Sequence, residues 1–232
     1  MTARWIAPAA AAAVALLVVT GGWLAPHTVD TVIGLPWETA RPGAPLGTDS
    51  LGRDVLSRTL AGGLGIAATA VLAGVATTAV GTALGLLAGW RGGVADRAVR
   101  AVADVLLALP ALVAALVLAV ALPGPVAVVV GSVVVGAPLT AKLVRDGTRR
   151  VRAAGFVEAA VARGERTPAV LVREVLPALA GLTAADAGLR FVVALQLASA
   201  LGVLGFGAQP PAADWALMLR EDLPGAVLNP PR

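Results

Sequence analysis

The chain has 232 residues, of which 58% are hydrophobic and 14% charged, with a formal net charge of +4 and a mean hydropathy of +0.85. So little polar surface cannot cover a water-soluble globule of this length, and five or six spanning helices of roughly 20 residues each leave no room for a separate soluble catalytic domain. Cysteine is absent and the single His27 cannot form a metal site alone, so disulfides and thiolate metal sites are excluded.

We read residues 1–232 as one all-α, polytopic membrane domain with about five visible spans. The first apolar run, 7–25, follows Arg4 and Trp5. Its basic start and Ala-rich core also fit a cleaved signal peptide, but the equally apolar remainder of the chain favours an uncleaved span. The second run, 59–90, carries no charge and is too long for a hydrocarbon core of ~30 Å, so part of it must tilt or lie outside that core. The third run, 105–122, is broken by Pro110. The fourth, 125–141, is reached through the turn Pro123-Gly124-Pro125, and the fifth, 187–206, has Arg190 near its start.

Arginine and lysine in short loops stay on the cytoplasmic side. Arg91, Arg97 and Arg100 follow span two, and Lys142, Arg145, Arg149, Arg150, Arg152, Arg163, Arg166 and Arg173 follow span four. Both segments, and the N-terminus with Arg4, are therefore expected inside. Alternation places 26–58 and the tail 207–232 outside. This orientation signal explains the pI of about 11.1 better than nucleic acid does, because the arginines lie in loops without interleaved aromatics.

The long inner stretch, 142–182, has helical punctuation of its own. Residues 156–163 form a short helical pattern with Glu158 in the first turn, where a carboxylate suits the helix dipole. Gly164 supplies a left-handed cap, Thr167 and Pro168 read as the N-cap and first helical position of a second helix, and Pro177 interrupts it. A basic solvated linker is the alternative reading of these features.

EAAVARGERTPAVLVREVLP, residues 158–177, resembles the EAA loop of the permease subunits of ATP-binding cassette importers. Glu158, Ala159, Ala160, Gly164, Leu176 and Pro177 fall at the matching spacing, while Glu174 and Ala178 depart from the usual residues. LGTDSLGRDVLSR (46–58), GGVADRAVRAVADVLLALP (92–110) and LGFGAQPPAADWALML (204–219) are similar, in the same order, to segments of the second permease of dipeptide, oligopeptide and nickel importers. The resemblance covers most of 46–222.

That resemblance implies a coupling helix at Glu-Ala-Ala that sits in a cleft of a cytoplasmic ATPase. Small Ala159 and Ala160 would permit close approach, Gly164 the turn, and Glu158 a cap or a pair with a basic partner group. It further implies a second homologous permease, two ATPase subunits that carry ATP and magnesium, an external solute-binding protein and surrounding lipid, with no cofactor on this chain. The family usually has six spans, and a further one follows its Gln-Pro-Pro segment. Here the expectation is either a shortened permease completed by its partner or a truncated, inactive one.

The residues themselves exclude local ATP hydrolysis, since Lys142, the only lysine, sits outside any Gly-x-x-x-x-Gly-Lys-Ser/Thr sequence. An ion-coupled carrier or channel normally leaves ionisable groups in mid-span; Asp104, Asp186 and Arg190 are expected near span ends, with Gln196 the main polar residue inside span five. No paired carboxylates or Ser-His arrangement suggests an enzyme. Gly81, Gly85 and Gly89 mark either a close helix approach or the chance spacing of a Gly-rich chain. In 46–58, Gly47, Asp49, Gly52, Arg53 and Asp54 shape an outer elbow, with Asp49 or Ser50 as a helix cap, where a substrate-delivering protein could dock; direct contact with substrate is the alternative reading. Gln209, Pro210 and Trp215 read as a second gate or docking segment.

Overall fold

The structure, a computed structural model, describes residues 3–228. Eleven α-helices follow one another: α1 (Ala3–Leu24), α2 (Val55–Ala61), α3 (Gly63–Arg91), α4 (Gly93–Leu107), α5 (Ala111–Ala121), α6 (Gly124–Arg152), α7 (Gly155–Ala162), α8 (Thr167–Val170), α9 (Leu176–Ala178), α10 (Ala180–Leu201) and α11 (Trp215–Leu228). π-helical turns at Leu171–Val175 and Gly202–Phe206 join α8 to α9 and extend α10. Among the described residues β structure is limited to isolated bridges, such as Val32 with Arg53 and Thr48 with Asp54.

Among the described residues, three helical stretches are long and apolar enough to cross a membrane: Val55–Arg91, Gly124–Arg152 and Ala180–Phe206. The fully polytopic all-α reading therefore holds, but not as five straight spans. The third expected run is a pair, α4 and α5, bent by 87°. Pro110 explains the bend: it has no backbone N–H to donate, it disfavours helical geometry at Leu109, and it caps α5 with φ −59 and ψ 122. The first run contributes a shorter apolar helix, Pro8–Leu24. The second divides at Gly62 into α2 and α3, but α3 still has 29 residues, about 44 Å at 1.5 Å each, so the long helix itself exceeds a ~30 Å core and must tilt or project beyond it.

The chain forms two compact units, one joining the described residues up to Thr69 with those from Ala198, the other Ala70–Leu197. Within the second, α3 and α6 approach closely through the glycine row. A Cβ on Gly85 would lie 2.7 Å from Val144 Cβ and 2.8 Å from the Ala141 carbonyl, and one on Gly89 would lie 2.7 Å from the Arg145 carbonyl. Gly81 faces Thr140 in the same way. The Gly-x-x-x-Gly spacing is thus a packing device, in which missing side chains let two backbones touch and gain dispersion contacts.

Two further differences from the sequence reading concern polar residues. Helix α6 does not end at residue 141 but runs to Arg152, with Arg149, Arg150 and Arg152 in its last turn, where cations complement the helix dipole. Helix α10 begins at Ala180 rather than near 187, which carries Asp186 and Arg190 well inside the helix. Both are buried. Arg190 Nη2 lies 3.2 Å from Asp186 Oδ1, and Thr140 Oγ1 donates to Asp186 Oδ2 at 2.6 Å.

Candidate functional site

The two candidate segments, the 142–182 loop and the 46–58 elbow, lie one in each unit. In the second unit, α7 stands on an apolar platform. Val157, Ala160, Val170, Val175 and Leu179 cluster with Val144 of α6, and Leu86, Trp90, Val151, Leu171 and Leu182 pack around them. Full burial of a valine stabilises by about 1.5–3 kcal/mol, so these few residues fix α7 without any charged contact. The break that follows is as read: Gly164 has φ +77, a conformation glycine adopts without strain, and Glu165 N donates to the Ala160 carbonyl. Thr167 and Pro168 begin α8 with Arg166 as its N-cap, one position earlier than expected.

Ala160 corrects the expected docking face. It is 0% exposed, packed against the chain's own core, and cannot meet a partner. Glu158, Ala159 and Arg163 are exposed, as are Phe156 and Val161. Leu176 is half-buried and Pro177 exposed in α9. The free face of α7 is thus a short carboxylate, methyl and guanidinium surface edged by two large apolar side chains.

In the first unit the elbow is built from charge. Asp49 Oδ1 accepts from the backbone N–H groups of Leu51 and Arg53, each at 2.9 Å. Its Oδ2 accepts from Arg53 Nε at 2.6 Å and lies 3.3 Å from Arg58 Nε. Glu221 Oε2 of α11 sits 3.0 Å from Arg53 Nη2 and 3.3 Å from Arg58 Nη2. Arg58 also donates to the carbonyls of Val29 and Ala212. Two guanidiniums therefore meet two carboxylates; Arg58 is 0% exposed, and its Nε faces Asp49 at ion-pair distance without a hydrogen bond.

Asp54, not Asp49 or Ser50, is the helix cap. It accepts from Leu56 N and Ser57 N at the start of α2, from Ser57 Oγ at 2.5 Å, and pairs with His27 Nδ1 at 3.2 Å. Burial opposes its ionisation, but these bonds from Ser57, His27 and Leu56 outweigh it and hold the carboxyl below its ordinary value. Asp222 goes the other way. Burial, helped by neighbouring Asp49 and Glu221, raises it although Ser50 N donates to it.

Gly47 (φ +76) and Gly52 (φ +77) are the elbow's turns, and a Cβ on either would strike a backbone carbonyl, of Glu38 or Gly34 respectively. Gly47, Asp49, Gly52, Arg53 and Asp54 are all buried. They form an internal lock rather than a docking surface, which leaves Leu46 and Leu51 outermost, 56% and 55% exposed. Trp215 Nε1 donates to the Thr59 carbonyl at 2.8 Å, and its ring covers Gly62 and Gly63. Gln209 donates to the Gly205 and Gly207 carbonyls, and Pro210 is exposed. Sequence reading missed the partners Glu221 and Asp222, which lie more than 160 positions from Arg58 and Ser50; their only signal was two adjacent acids in a mostly apolar helix.

The sequence profile described as binding-protein-dependent transport system inner membrane component matches residues 81–228. The chain belongs to this family. It is an ATP-binding cassette importer permease subunit, a multi-pass membrane transport component rather than an enzyme. It is 36% identical over 186 residues to the glutathione transport system permease protein GsiD of Pectobacterium atrosepticum, covering 80% of this chain and 62% of that protein. It is 33% identical over 213 residues to GsiD of Escherichia coli, covering 90% of this chain and 70% of that protein. The permease chain thus spans under two thirds of the length of the Pectobacterium relative. The profile includes the α7 loop and its platform, whereas the elbow at 46–58 lies before it.

Proposed function

We propose that this permease subunit imports a small peptide-like solute under the power of ATP hydrolysed on partner chains. In this reading it pairs with a second, related permease and two ATPase subunits that hold ATP and magnesium, and receives solute from an external binding protein. Its N-terminus is cytoplasmic, α7 lies inside, and the elbow and the 207–232 segment lie outside. The relatives are glutathione permeases, so a tripeptide is the first solute to test; nickel follows from the wider branch.

The observation that supports coupling is the exposed Glu158, Ala159 and Arg163 face on a buried apolar base. A rigid helix that binds differently to open and closed ATPase pairs transmits that difference to the spans it rests on. Here the base includes Val144 of α6 and Leu86 of α3, so force on α7 reaches two spanning helices directly.

The test joins crosslinking with uptake in membranes that contain all subunits. Ala159→Cys is expected to crosslink to the ATPase, whereas Ala160→Cys, whose position is buried, is expected to stay silent. Glu158→Lys should abolish uptake with insertion intact. Full uptake by Glu158→Lys, or absence of an ATPase crosslink at Ala159, would sink the coupling reading.

The buried Asp186–Arg190 pair supplies the one observation that favours an ion-coupled carrier, since intramembrane ionisable groups often carry protons or ions. The pair is internally neutral and already satisfied by Thr140, which suits a structural crosslink between α6 and α10. Uptake that survives loss of every ATPase and follows a proton gradient would reverse this preference.

A further inference from the structure

The Ala70–Leu197 unit contains two openings along the same helices that the coupling reading leaves unused. The first is a cleft of about 360 Å³ among α3, α4 and α6, lined by apolar residues only, among them Val80, Leu84, Val99, Val102, Val134 and Pro138. The second is an open recess, also about 360 Å³, lined by Gly89, Gly92, Arg149, Arg152 and Ala153. Leu84 to Gly89 along α3, and Ala141 to Arg149 along α6, correspond to a rise of about 8–12 Å. An apolar slot therefore leads, over that distance, to a basic end.

The basic end is held in place before any ligand arrives. Arg152 donates to the Trp90 carbonyl and its guanidinium lies 5.1 Å from the centre of the Trp90 ring, a cation–π distance. Arg149 Nη2 is fixed 2.8 Å from Asp96 Oδ2. Each guanidinium has five N–H donors, so both keep donors for a further acceptor. Arg100 and Arg145 share Asp96 as well, and Arg145 also contacts Asp146. Three guanidiniums thus meet two carboxylates, and Arg152, which has no carboxylate contact among these, brings the excess of the group to two positive charges. Arg149 remains 46% exposed, open to the recess.

We propose that this paired cleft and recess is a binding site for one anionic phospholipid, with its phosphate between Arg149 and Arg152 and an acyl chain in the cleft. The headgroup layer of a bilayer is roughly 5–8 Å deep on each side, so the rise of about 8–12 Å between the openings is enough to carry a lipid from its acyl region to its phosphate. Trp90 lies in the last turn of the long apolar helix α3, the kind of position at which tryptophan is enriched in spanning helices, and basic pockets between spanning helices bind anionic headgroups. A partner's apolar helix would fill the cleft but would give no use to the two pre-positioned cations beyond its end. The site does not depend on α7 docking to an ATPase.

The test uses the full chain purified in a mild detergent and stripped of lipid, then offered phosphatidylglycerol or phosphatidylcholine of equal chain length, with retained lipid counted by native mass spectrometry. One phosphatidylglycerol is expected per chain, favoured roughly 30-fold over phosphatidylcholine if each arginine contributes as basic residues do at anionic surfaces. The double variant Arg149→Gln with Arg152→Gln should lose the preference and keep weak binding of both lipids. Val102→Trp should lose both by filling the cleft, and Arg173→Gln should match the parent. The unmodified chain gives a second readout that requires no variant. Millimolar inorganic phosphate should not remove bound phosphatidylglycerol; if it does, the site is a plain anion site and the proposal fails. Equal retention of the two lipids by the unmodified chain, or Val102→Trp binding like the parent, would also overturn it.

Discussion

The elbow around 46–58 and the loop from α7 to α9 are both short, irregular interruptions between long helices, yet they are held by opposite means. The elbow buries Asp49, Arg53, Asp54 and Arg58 and leaves Leu46 and Leu51 outside. The loop buries Val157, Ala160, Val170 and Val175 and leaves Glu158, Arg163, Arg166 and Arg173 outside. Directional ion pairs specify one geometry and fail sharply when one member is lost. Apolar packing tolerates modest changes of shape and frees the polar face for contact with another molecule. A lock and a docking platform would be expected to differ in this way.

The sharpest way to break the comparison is to remove one charge from each region. Arg58→Met leaves buried Asp49 and largely enclosed Glu221 with one cation between them, and loss of one partner of a buried pair typically costs about 3–5 kcal/mol. The elbow should lose protection from proteases and the purified chain should melt at a markedly lower temperature. Arg163→Met removes an exposed charge whose partner is Glu165 at 2.7 Å, and exposed pairs contribute only about 0–1 kcal/mol. Equal melting temperatures for the two variants would show that the elbow network stabilises nothing.

A smaller effect is expected beneath α7. Val175→Ala removes two buried methyl groups from the platform, an expected loss of about 2 kcal/mol. The informative readout is local: amide exchange in 155–165 should quicken while the elbow amides stay unchanged. Uniform acceleration in both regions would mean that the two are not separately stabilised.

Much of the second region was legible in the sequence and little of the first. Gly164 and Pro168 are local signals, because positive φ and a missing N–H act within one or two residues. Periodicity alone did not say which face of α7 turns inward, and so Ala160 was assigned to the partner when its own core claims it. The elbow depended on pairings across most of the chain. Charges in a polar connector ordinarily face water, and it is the arrival of Glu221 from α11, beside Asp49, that compensates burial of Arg53 and Arg58. The start of α10 was placed too late because Thr183 and Asp186 lower local hydropathy, although Thr140 and Arg190 satisfy that carboxylate inside the fold. Pro110 was seen as a break, but a break in sequence does not give the 87° bend.

The smallest predicted effect sharpens the comparison through pH. Burial raises the Asp222 carboxyl above its ordinary value of 3.8, so between 3.8 and the raised value the folded chain holds a proton that the unfolded chain has released. Stability then falls as pH rises through that window, because the folded state binds more protons there. The contribution is complete below 3.8 and lost above the raised value. Asp54 has the reverse sign: its carboxyl is held below 3.8, and the stability it confers is present above 3.8 and lost on acidification. Asp222→Asn keeps an oxygen to accept from Ser50 N and removes only the charge. It should therefore raise the melting temperature slightly at neutral pH and leave the acid limb, set by groups such as Asp54, unchanged. A variant that is less stable at neutral pH would mean that Asp222 pairs with Arg58 more strongly than burial opposes it, and the elbow would then be a network of three carboxylates and two arginines rather than a balanced lock with one acid held in reserve.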